Sequence, residues 1–372
     1  MRAAFHTAAI VLALSTQAVS HGRADGGSAQ RVEKTAVLPQ PVGVRYDLAQ
    51  TALGLPGGQF VVGRWDGSLQ LWRLTDRGPQ LLSVATLLSG EGVQALAPIG
   101  EQKIVSSHDG ESLALWSVLG DRLERQNLVE YPKSLGIATS AAVIEVGTIR
   151  GLVVGHESGW LSFWRPSRFG LNLITTLDVR AAQPVPSPYP LKHIRGLVQT
   201  ATGQLLSGSE DGDLVLIKLG ASLDALQPEV GAKVRYSPTA KRGINGLALW
   251  GEWLAVTNCS VGERDTNLHL WRVLPGQLLP MQSLLLRSEP QRDQVFSFAA
   301  QWSKTGTLWV TTQEGLLWQL RLVLPVAPKI PPKLGVEGKL SVASNVGTAL
   351  VYDQERKLLV AVGHEATVLK VP

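Results

Sequence analysis

Three histidines sit in closely similar short stretches of this 372-residue chain: His108 in SSHDG, His156 in GHESG and His364 in GHEAT. A fourth stretch of the same kind, GRWDG, carries Arg64 and Trp65 where the others carry histidine. Imidazole is the commonest protein ligand for metals, so three such turns raise metal chemistry first. A shared ion needs each ligating nitrogen about 2.0–2.1 Å away. Turns on neighbouring units of a ring lie roughly 9 Å apart, which is too far for one ion. No metal, haem or other cofactor is therefore expected, and the histidines read as turn-capping, solvated or partner-contacting groups. Nucleophile elbows, His-Glu-x-x-His helices, phosphate loops and paired cysteines are all missing. The run Gly90 to Ala95, GEGVQA, matches a dinucleotide fingerprint in letters but leads into a strand and not a helix. Basic side chains gather in SPTAKRG, with Lys241 and Arg242, and in RSEPQRD, with Arg287 and Arg292; the Pro-rich AAQPVPSPYPLKH leads up to His193. Stiff, basic loops of this kind suit docking, because they lose little entropy on binding.

These residues must be held by something, and the elements around them repeat. The stretch GQFVVGRWDGSLQLWRL from Gly58 has two short apolar runs flanking a turn and closes on Trp72. Equivalent closing positions fall at Trp72, Trp116, Trp164, Ile217, Trp271, Leu320 and Val371, with spacings of 44, 48, 53, 54, 49 and 51. A period near 50 residues, recurring seven times, is the signature of one four-stranded blade per repeat. In each unit a Gly- and Ala-rich segment a (VQALA, IRGLV, INGLA) precedes a strand-forming segment b (FVVG, IVSS, LVVG). The Trp-ended segment c and a variable segment d follow. Runs of four to eight residues bounded by Gly, Asp, Asn and Pro are too short for helices. The fold class is thus all-β: a seven-bladed propeller of four-stranded antiparallel blades. The seventh unit lacks segment d, and KTAVL from Lys34 is expected to take that place and close the ring. In such a meander the b–c turns and d–a loops share one face, so the histidine turns and the basic loops belong together.

Composition bounds the rest. Charged residues make up 17% and glycines number 38, a balance that suits many turns and doubly buried strands. The formal charge of +5 is scattered, with no like-charge block, so nucleic acid is not the expected partner. Residues 1–20 read as a signal peptide, with Arg2, an apolar core from Ala8 to Leu14 and Ala18-Val19-Ser20 as a cleavage site. Residues 21–33 read as a linker and 34–372 as the propeller, placing the mature chain in the periplasm or outside the cell. Cys259 has no partner cysteine and reads as a small buried strand residue, and Asn258-Cys259-Ser260 is a weak glycosylation match.

The turn-strand-Trp endings at Asp66-Gly67 to Trp72, Asp109-Gly110 to Trp116, Asp211-Gly212 to Ile217 and Asp265 to Trp271 resemble those of the WD-repeat β-propeller family. The resemblance covers about residues 34–372 and points to a divergent, bacterial-type member. Similarity to pyrroloquinoline-quinone-type propellers is confined to VGRWDGSLQLW. The Trp that closes segment c is followed by Arg73, Ser117, Arg165 and Arg272, never by Asp, and the family's Gly-His pair is missing. The family's buried Asp-His-Ser/Thr-Trp network is accordingly expected to be incomplete in every blade. Because that family hosts many unrelated roles, the resemblance implies architecture more than activity. The expectation is a non-catalytic scaffold that meets a protein partner through Arg64, Trp65, His108, His156, His364, Lys241 and Arg242. The rival expectation is an accessory or maturation factor for a periplasmic redox enzyme, or a cofactor-dependent propeller enzyme.

Overall fold

The computed structural model describes residues 33–38, 49–75, 78–87, 91–110, 112–168, 170–180, 192–236, 243–261, 266–289, 294–324, 331–342, 348–363 and 366–371. His364, Lys241 and Arg242, residues 1–20 and residues 181–191 of the Pro-rich stretch lie outside the described residues.

Among the described residues, twenty-eight strands form seven blades. Blade 7 is completed by β1 (Glu33–Leu38), and blade 1 comprises β2 (Ala49–Gly54), β3 (Gln59–Arg64), β4 (Ser68–Thr75) and β5 (Gly78–Thr86). Blade 2 has β6 (Val93–Gly100), β7 (Lys103–His108), β8 (Ser112–Leu119) and β9 (Arg122–Glu130). Blade 3 has β10 (Ala138–Val146), β11 (Ile149–His156), β12 (Trp160–Pro166) and β13 (Leu171–Asp178). Blade 4 has β14 (Ile194–Gln199), β15 (Leu205–Ser209), β16 (Asp213–Lys218) and β17 (Glu229–Arg235). Blade 5 has β18 (Ile244–Trp250), β19 (Trp253–Val261), β20 (Leu268–Leu274) and β21 (Gln277–Leu284). Blade 6 has β22 (Gln294–Trp302), β23 (Thr307–Thr312), β24 (Leu316–Val323) and β25 (Lys333–Ser341). Blade 7 has β26 (Ala349–Asp353), β27 (Leu358–Val362) and β28 (Ala366–Lys370). β1 pairs antiparallel with β28, from Glu33 opposite Lys370 to Leu38 opposite Ala366. No α-helix occurs among the described residues.

Blades pack face to face, and the buried apolar residues divide into seven clusters, one per blade interface. Successive residues of one strand serve opposite neighbours: Phe60, Val62 and Trp72 pack on blade 7, while Val61, Leu69 and Leu71 pack on blade 2. Both faces are therefore dry, which is why the b and c segments read as unbroken apolar runs. Each closing tryptophan contributes on the order of 2–3 kcal/mol by burial.

The b–c turn of blade 1 explains its own sequence. Gly67 N–H donates to the Arg64 carbonyl at 3.1 Å with Gly67 at φ 85°, a conformation that disfavours a Cβ, and Asp66 Oδ1 accepts from Ser68 N–H at 2.9 Å. Gly159, Gly212 and Gly315 make the same turn with His156, Ser209 and Thr312. Blade 2 departs, because β7 ends at His108 and Asp109 follows immediately. Asp109 is thus one residue out of phase with Asp66, against the alignment of their Asp-Gly pairs. Blade 5 departs differently: β19 overruns its blade and pairs with β22 of blade 6, Cys259 opposite Phe296 and Val261 opposite Gln294.

Candidate functional site

Strand a of each of the first five blades contains a β-bulge at the same place, opposite the end of strand b. The extra residues are Gln50, Gln94, Thr139, Arg195 and Asn245. In blade 6 the shift spans Phe298 and Ala299. A bulge re-aims one side chain out of the sheet pattern. All six blades use it to put a side chain on the wall of a central channel of about 590 Å³, at the end where the b–c turns and d–a loops lie. Sequence reasoning missed these residues, although the polar second letter in VQALA, IRGLV and INGLA was a visible interruption of an apolar segment.

The neighbouring turns hold this crown in place. Asp109, freed by its shifted phase, accepts from Gln94 Nε2 at 2.6 Å and from Gly92 N–H at 2.9 Å. Glu210, the residue after β15, pairs with Arg195 Nε at 2.6 Å, and Arg195 also meets His193 Nδ1 at 3.1 Å. Burial holds the His193 imidazole below its ordinary pKa, with Glu210 opposing and Arg195 reinforcing that shift. Asn245 Nδ2 donates to the Ser297 carbonyl at 2.7 Å, and Thr139 Oγ1 donates to the Ile194 carbonyl at 2.8 Å, so each side chain is fixed from the next blade.

Of the surface residues expected from the sequence, Trp65 alone among those described is open, at 52% exposure. His108 and His156 are 0% exposed and Arg64 is 1% exposed, which corrects their reading as solvated groups or partner contacts. Each occupies the last position of strand b, directed into the blade. The network expected to be incomplete reappears there in another form. Trp164 Nε1 donates to Ser162 Oγ at 2.8 Å, and Ser162 Oγ lies 2.7 Å from His156 Nε2. In blade 2, Trp116 Nε1 donates to Ser106 Oγ at 2.8 Å, and Ser106 Oγ lies 2.9 Å from His108 Nε2. The serines come from different strands: Ser106 of β7 stands opposite Ala114, and Ser162 of β12 stands opposite Val154. One point in space is therefore filled from either side of the hairpin. In blade 1 Gln70 fills it, accepting from Trp72 Nε1 at 3.2 Å, with Arg64 at the histidine position.

Donor arithmetic fixes the histidine tautomer. Indole can only donate, so each serine accepts from tryptophan and gives its own proton to Nε2. The Nδ1–H then faces a loop carbonyl, Glu91 O at 3.4 Å for His108 and Gly136 O at 3.3 Å for His156. Neutral imidazole is required, and burial lowers both pKa values, that of His156 to about 4. A serine within 3 Å of a histidine base also has the spacing of a nucleophile pair. These serines are buried and already bridge two partners, so the pairs serve structure. Blade 4, which closes on Ile217, uses charge instead: Asp213 and Lys233 pair at 3.1 Å, both side chains 8% exposed, and Lys233 also donates to the Val179 carbonyl of blade 3. Burial raises the Asp213 pKa, with Asp211 adding to it. No cluster of three or more metal-ligating side chains occurs among the described residues.

No protein-family model matches the chain, and no curated protein matches it. Among solved structures, the Cps50 (Swd1) β-propeller domain of Myceliophteria thermophila superposes with a TM-score of 0.63, covering 92% of this chain and 100% of that domain. The fold is that of a WD-repeat-like seven-bladed β-propeller. The two chains share 14% identity, so the likeness is one of architecture. In this WD-repeat-like propeller the crown, the acidic b–c residues that hold it and the exposed Trp65 all lie on one face. No helix among the described residues is long and apolar enough to cross a membrane.

Proposed function

We propose that this propeller is a non-catalytic platform that docks a protein partner over the mouth of its central channel, in the periplasm or outside the cell. One observation carries the reading: bulges at equivalent places in six blades turn side chains toward a single mouth. Six departures from regular pairing at equivalent positions are a device for presenting a surface, since bulges disrupt the ladder wherever they occur. Trp65 supports it, because a half-exposed tryptophan at the rim is the residue type that dominates interface energetics. The Pro-rich and basic d–a loops, including Lys241 and Arg242, and the His364 turn would extend the same face. The compartment rests on the signal-like residues 1–20. Recovery of bound proteins from the envelope fraction with wild-type and Trp65→Glu chains tests the reading. Loss of a stoichiometric partner in the variant is the expected result. A partner fully retained, or a stoichiometric quinone, haem or metal in the purified protein, would contradict it.

A further inference from the structure

The channel changes character within two residues of its mouth. At the crown the lining is polar except in blade 6, which brings Phe298 and Ala299, but two positions along each strand a, about 7 Å further in, it is apolar throughout. Leu96, Leu197, Leu247 and Leu350 occupy that level, with Ala52, Ala141 and Ala300 in the other three blades. Arg195 and Glu210 are the charged groups of the described lining, and their 2.6 Å pairing leaves it without net charge. A lone ion entering here would lose water and find no opposite charge left to meet, a costly exchange.

The polar level is suited to amides. Gln94 and Asn245 each commit one N–H to the framework, which leaves a second N–H and a carbonyl oxygen on each.

We propose that the channel receives an uncharged aliphatic side chain of about leucine size, carried on an extended segment of the partner. The segment's main-chain N–H and C=O groups meet Gln94 and Asn245. This rests on the docking face proposed above and specifies what enters it.

Saturation-transfer NMR on the full chain tests it with three capped tripeptides, Ac-Gly-Leu-Gly-NH2, Ac-Gly-Asp-Gly-NH2 and Ac-Gly-Lys-Gly-NH2. The leucine methyls are expected to receive saturation, with binding of the charged peptides at least tenfold weaker. Ala141→Leu, which fills the apolar level, is expected to abolish the leucine signal, and Gln94→Ala to weaken binding severalfold. Silence from the leucine peptide, equal or tighter binding of a charged one, or an undiminished signal in both variants overturns the inference. If that happens while Trp65→Glu still loses its partner, the docking face stands and the aliphatic insertion falls. If the partner is retained as well, both fall.

Discussion

At the level of single residues, histidine in this protein is a structural donor-acceptor bridge. His156 accepts from Ser162 and faces the Gly136 carbonyl, and removing the serine hydroxyl would leave Trp164 Nε1 and His156 Nε2 buried without their shared partner. Ser162→Ala should therefore cost about 1–3 kcal/mol in denaturant unfolding. Ser140→Ala, which removes a hydroxyl without partners, should cost close to nothing by the same measurement. The histidines also set a pH response. Burial lowers the pKa of His156 and of His269 to about 4, from an ordinary value of 6.5. Between those values the unfolded chain binds protons that the folded chain refuses, so stability is fully present above about pH 6.5. It is lost as pH falls toward 4, on the order of 3 kcal/mol for each histidine. Urea titrations from pH 7 to pH 4 should show this decline, and His156→Gln should flatten it; stability that rises on acidification would contradict the assignment. From the letters alone His108 and His156 read as surface groups. One turn glycine and one aspartate show why: a residue's place at the end of strand b or in the turn depends on a one-residue phase, which Asp109 shifts and Asp66 does not.

The elements were more legible than their edges. Strands b and c followed from short apolar runs, and the Gly at Gly67 followed from the turn it makes. The bulges did not, because a bulge is a relation between two strands and leaves only a weak mark in either one, such as Arg195 inside IRGLV. The crossing of β19 into blade 6 was hidden for the same reason. Asp109→Ala should release both Gln94 and Gly92 and raise hydrogen exchange at the Gly92 amide, while the strand amides of β7 and β8 stay protected. Unchanged exchange at Gly92 would show that the carboxylate does not hold the loop.

At the scale of the whole propeller, the described residues form a ring of seven blade interfaces with one face made unlike the other. The pairing of β1 with β28 adds a fourth strand to blade 7 and joins the two ends of the repeat array. Deleting residues 21–40 should lower the unfolding temperature by several degrees, and an unchanged temperature would deny that strand a closing role. The architecture is readable in the repeat period, because seven copies of one pattern reinforce each other. The partner is not, because binding specificity lies in side chains that differ from blade to blade. The docking face is the central claim, and amide hydrogen exchange on the full chain, alone and bound to its copurifying partner, tests it most directly. Protection should appear at the bulges around Gln50, Gln94, Arg195 and Asn245 and at the turn holding Trp65. Protection confined to the a–b turns on the other face, near Gly57, Gly251 and Lys357, would contradict the claim.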